Sequence, residues 1–149
     1  MALIKLCFSL LAIIVFCAQN ASASTSDLNN AGCGFNDMAA FYQTELGIGP
    51  VEIQYIFKRM KNPNTNGYAR KQGKHKYLIA LANGLEPSET RVTMAHEMVH
   101  IRQMEEGSIN KAEFEKHYMN RSFEDEAFRL SLPMAAKFYT EHRCPDEPL

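Results

Sequence analysis

Three observations predict an α+β fold. Apolar residues near the start of the mature chain recur at helical spacing, the period changes to two after Gly49-Pro50, and helical spacing returns from Pro87 onward. Helix, then strands, then helices is the order of an α+β domain. The expected arrangement is a small twisted antiparallel or mixed sheet packed on one long helix and followed by C-terminal helices.

Each element has its own signal. Phe35, Met38, Ala39, Tyr42 and Leu46 share one helical face, and Gly47 follows as a stop. Val51, Ile53, Tyr55 and Phe57 alternate with Glu52, Gln54, Ile56 and Lys58, the pattern of a half-buried strand. Asn62 to Gly67 is a dense turn signal, and Tyr77-Leu78-Ile79-Ala80-Leu81 is a second, more apolar strand. Pro87-Ser88 can start a helix that Gly107 ends, and Asn110 to Met119 reads as a further helix. Ser122 is placed to cap a helix over Phe123–Leu132, and Pro133 then breaks the run before a last short helix, Met134 to His142.

The first 23 residues have a different character. One lysine, Lys5, precedes an apolar run from Leu6 to Ala18, and Ala21-Ser22-Ala23 fits a small-x-small cleavage site. This is the pattern of an export signal, 1–23, and the run is short for a membrane span. Removing 23 of 149 residues leaves 126, one domain over 24–149 with neither internal repeat nor linker. The formal charge moves from −1 to −2 with the loss of Lys5. The mature chain is expected to be periplasmic or secreted, monomeric, and without a stable membrane anchor.

Cys7 and Cys17 leave with the signal, so Cys33 and Cys144 form an even pair in an exported chain and are read as one disulfide. Charge is also unevenly distributed. No acidic residue lies between Glu52 and Glu86, where Lys58, Arg59, Lys61, Arg70, Lys71, Lys74 and Lys76 fall. The two strands are read as a basic hairpin, a solvated surface that resists edge-to-edge pairing in preference to one that attracts an anionic partner, with no nucleic acid expected as partner.

One stretch specifies chemistry. In His96-Glu97-Met98-Val99-His100 the two histidines stand at i and i+4, so a helix places both imidazoles on one face, able to share a metal ion. Glu97 is the only charged residue from Val92 to Ile101, and a lone carboxylate among such neighbours needs a metal or bound water to satisfy it. A catalytic zinc takes three protein ligands and leaves a position for water, so one ligand must come from elsewhere. Gln103 and Glu106 stand where a third-histidine pattern would need Gly and His, so a carboxylate on a later helix is required. Glu124 shares a helical face with Ala127, Phe128 and Ser131 and is preferred. Glu126 is explained by an exposed pair with Arg129, and His117 comes third. Gln103, one turn after His100, is either at the edge of the site or a solvated helix residue.

With these residues in place, HEMVHIRQ followed by FEDEA resembles the gluzincin-type zinc metallopeptidases, particularly small bacterial zincin-like domains with HExxHxxQ and a later ExxA. The resemblance spans roughly residues 76–131. It implies a zincin-like fold, one Zn2+ held by His96, His100 and Glu124, and Glu97 as general base. It also implies that the strand Tyr77, Leu78, Ile79, Ala80, Leu81 and Ala82 holds the substrate backbone. Many members carry an Asp four residues after the ligand glutamate; this chain has Phe128 there.

The expected activity is therefore hydrolysis of a peptide or protein substrate by zinc-activated water, with Glu97 taking the proton. Tyr118, Tyr139, His117 and His142 are the candidates for an oxyanion donor. Two other functions share the motif: a zincin-fold binding protein with structural zinc, and a zinc amidase acting on envelope polymers.

Overall fold

A computed structural model describes residues 33–109 and 111–144. The expected export signal and the polar segment after it lie outside the described residues. The chain is α+β: α1 (Phe35–Glu45), β1 (Glu52–Lys58), β2 (Gly67–Gly73), β3 (Lys76–Ala82), α2 (Pro87–Glu106) and α3 (Ser122–His142), with short 3₁₀ turns at Lys111–Glu115 and Tyr118–Asn120. Among the described residues no helix is long and apolar enough to cross a membrane.

The three strands form one mixed sheet in the order β1-β3-β2. β1 runs parallel to β3 with Ile53 opposite Tyr77 and Tyr55 opposite Ile79, while β2 pairs antiparallel to β3 with Tyr68 opposite Ala80. The two strands legible in the sequence are thus parallel neighbours, and the hairpin is made by β3 with a strand that sequence reasoning missed. β2 reads G-Y-A-R-K-Q-G, bounded by glycine and mostly polar, because it is an edge strand with one side open. β3 is buried from Tyr77 to Leu81, as a strand flanked on both sides should be. Of the basic residues expected on one surface, Lys71 pairs with Glu105 and Lys76 with Glu52.

Helix α2 is the axis of the domain. Met94, Ala95, Met98, Val99 and Ile101 are fully buried and join Tyr77, Ile79 and Leu81 of β3, Met38 and Tyr42 of α1, and Phe138 of α3 in a single core. Pro87 opens α2, and Gly107 closes it at φ 68°, the left-handed geometry that glycine adopts without strain. Leu46 caps α1 before Gly47 at φ 64°.

Two expectations for the C-terminal half require correction. Where a helix is expected over Asn110 to Met119, the described residues from Lys111 onward form two 3₁₀ turns, in which Phe114 and Met119 stay exposed and so give a regular helix no buried apolar stripe. Glu113 reaches across this segment instead. Its carboxylate accepts from the Ser122 backbone N–H at 2.9 Å, taking the capping role expected of the Ser122 hydroxyl. Pro133 likewise does not end the run: α3 continues for 21 residues with Pro133 inside it. Pro133 and Arg129, whose carbonyl the proline cannot satisfy, both lie on the exposed face, where the loss of one helical bond is tolerated.

Cys33 and Cys144 are joined, with a sequence separation of 111. Both half-cystines are buried against the core. Closing a loop of that length contributes about 4–5 kcal/mol in the chain-entropy account. Replacing both cysteines by serine should therefore lower the melting temperature by on the order of 15–25 °C, measured by circular dichroism.

Candidate metal centre

α2 and α3 pack along their lengths and bring three of the expected residues together. His96 and His100 project from one face of α2 toward Glu124 in the first turn of α3. His96 Nε2 lies 3.3 Å from Glu124 Oε2, His100 Nε2 lies 3.3 Å from the same oxygen, and the two nitrogens are 3.1 Å apart. All three side chains are nearly buried.

That triangle has a chemical reading. Ligands bound tetrahedrally at about 2.0–2.1 Å stand about 3.3 Å from one another, so its edges match one face of a zinc tetrahedron. Two imidazole nitrogens and a carboxylate oxygen are also the donor set of a catalytic zinc, leaving a fourth position open. Glu124 responds to this surrounding: burial works against its charge, but hydrogen bonds from His100 and His96 bring its pKa down to about 2. For His100, burial opposes the charged form, yet the Glu124 hydrogen bond and the Glu97 charge raise its pKa.

Glu97 sits beside this cluster on the sheet side. It is 4 % exposed, and its Oε2 is buried with no hydrogen-bond partner. Its carboxylate accepts the backbone N–H of Ala69 in β2. Burial pushes the Glu97 pKa up, against the opposing pull of His100 and His96. An elevated carboxylate with one unpartnered oxygen at a candidate metal site has the character of a general base.

β2 creates the room for it. A side chain at Gly67 would stand 2.6 Å from Thr93 Cγ2 and 3.1 Å from Glu97 Oε1, so only glycine lets α2 approach the strand this closely. The Asn66 carbonyl accepts from Ala82 N, and the register then turns the backbone groups of Tyr68 and Arg70 toward β3 and those of Gly67 and Ala69 away from it. The open edge of β2 therefore runs past Glu97. The expected substrate strand, Tyr77–Ala82, is instead the central strand β3, paired on both sides, and has no free backbone edge to offer.

The remaining candidates separate cleanly. The Tyr118 hydroxyl bonds to Glu124, so this phenol reaches the site. His142 stacks on Phe138, and Tyr139 lies under the Arg91 guanidinium, both far along α3 from Glu124. His117 precedes the second 3₁₀ turn and is exposed. Phe128 occupies the position where the resemblance implies an Asp; its ring packs on His96 at 4.8 Å between centroids. Comparison of the chain with protein-family models, curated proteins and solved structures gives no match.

Glu126 has partners beyond its sequence reading, and Gln103 follows the first of its two alternatives. Glu126 does not depend on Arg129 alone: its Oε1 accepts from Arg102 Nη2 at 2.6 Å and its Oε2 from Gln103 Nε2 at 2.9 Å. Gln103 is buried and touches the site directly, with its Oε1 2.8 Å from His100 Nδ1. The i+3 spacing from His100 was the available signal; the partners across α3 were not visible in it.

Proposed function

We propose that this chain is a zincin-like, zinc-dependent hydrolase that cleaves peptide bonds. The observation that carries the reading is the triangle of His96 Nε2, His100 Nε2 and Glu124 Oε2 with a buried, half-satisfied Glu97 beside it. A purely structural zinc site needs no such base, which argues against a binding role. Bound by these three residues, zinc would supply a water acidified toward a pKa of about 7 and polarise the scissile carbonyl. Glu97 accepts the proton from the attacking water and delivers it to the departing amine. Its backbone bond from Ala69 holds the carboxylate in place for both transfers. Tyr118, next to Glu124, is the residue assigned to donate to the developing oxyanion.

A peptide substrate is favoured by the open edge of β2, which offers an extended backbone a partner next to Glu97. Export, with the mature domain periplasmic or secreted and monomeric, fits a protease acting outside the cytoplasm. The test is turnover of an unstructured protein such as casein by the mature chain. Chelation should abolish it, and one equivalent of zinc should restore it. Turnover that survives complete metal removal would overturn the proposal.

A further inference from the structure

Gln103 is the least exposed of the buried polar residues described, at 1 %. Its amide nitrogen donates to the Phe123 carbonyl at 2.8 Å and to Glu126 Oε2 at 2.9 Å. Neither group can donate in return. A carbonyl never does, and the Glu126 carboxylate faces the Arg102 guanidinium, which donates to its Oε1 at 2.6 Å. The amide therefore has a single orientation, in which Oε1 faces His100 Nδ1 at 2.8 Å. An oxygen acceptor there requires Nδ1 to carry the proton, and in a neutral imidazole that leaves the lone pair on Nε2. This is the nitrogen that points at His96 and Glu124.

From this geometry we propose that Gln103 is a positioning residue: held by Glu126 and the Phe123 carbonyl, it fixes His100 as the Nδ1–H tautomer and so presents Nε2 to the metal. The inference rests on the metal reading of the site. It extends it, because the glutamine also sets the start of α3. Phe123 immediately precedes Glu124, so one amide locates a ligand on each helix. Arg102, the residue before Gln103, completes the arrangement by anchoring Glu126 from the same helix. Groups that orient a ligating histidine in this way change metal affinity by about 10- to 100-fold when removed.

The test uses the mature chain and its Gln103→Met and Glu126→Gln variants. Methionine keeps the volume of glutamine but cannot accept from Nδ1–H. Nitrogen-15 NMR of the imidazoles in metal-free protein reads the His100 tautomer, and competition against a chelator reads zinc affinity. The expected result is Nδ1–H in the wild type, a mixture of tautomers in Gln103→Met, and zinc bound about 10- to 100-fold more weakly. Glu126→Gln should fall between the two. A lost packing contact alone would lower the melting temperature of Gln103→Met and leave its tautomer unchanged. An unchanged tautomer in a folded Gln103→Met, or zinc affinity within twofold of wild type, overturns the inference. If the wild type binds no zinc, the metal reading fails by itself, and the tautomer comparison still decides the role of Gln103.

Discussion

Replacing Glu97 by Gln should reduce turnover by about 10²- to 10⁴-fold while zinc remains bound at one equivalent. The amide has nearly the same volume as the carboxylate, so the space beneath Gly67, where a mere Cβ would come within 3.1 Å of Glu97 Oε1, still admits it. It can no longer take a proton from water. The three residues of the triangle are untouched, which is why metal content is the control. Measured together, activity and zinc stoichiometry separate a lost base from a lost site. Undiminished hydrolysis by the variant would remove Glu97 from the chemistry, and concurrent loss of zinc would make it a structural contributor to the centre.

The second large effect concerns the two glutamates on α3. Glu124→Ala should lose stoichiometric zinc on dialysis against a chelator, because only the two imidazoles at i and i+4 would remain to hold the ion. Glu126→Ala should retain zinc, with affinity lowered by no more than about 100-fold, since its carboxylate reaches the centre only through Gln103. The contrast follows from burial and direction. Glu124 is 5 % exposed and aimed at His96 and His100, whereas Glu126 is turned toward Arg102 and Gln103. Elemental analysis of the two purified variants settles the comparison. Equal loss from both, or loss from Glu126→Ala alone, would reassign the third ligand.

How far the sequence could be read depended on whether a residue's partner is local. α1 and α2 were legible because their apolar spacing, Pro87 and the left-handed glycines 47 and 107 all act within a few residues. The pairing of Cys33 with Cys144 was legible because only two cysteines lie beyond the expected leader. Glu124 was reached from helix geometry, as Ala127 and Ser131 on its face are buried with it. β2 was not visible, because an edge strand keeps polar residues and its apolar contact is made by Gly67 and Ala69, too small to register as a pattern. Without it, β1 and β3 looked like a hairpin. The capping carboxylate of Glu113, nine residues before its target, and the Gln103–Glu126 contact between helices depend on tertiary packing that no local period encodes. Pro133 misled for the opposite reason: a strong local rule was relaxed by exposure.

The bridge between Cys33 and Cys144 makes the described domain a covalent ring, with its two ends held 5.7 Å apart at Cα. For a molecule proposed to cut polypeptides, that closure bears on its own survival. An exposed turn, 61–64 between β1 and β2, lies inside the ring. A single cut there by another copy does not release a fragment; both pieces stay tethered through the sulfurs and continue to share the core built on α2. Outside the cytoplasm, where disulfides persist, a nicked molecule can therefore keep its ligand helices together.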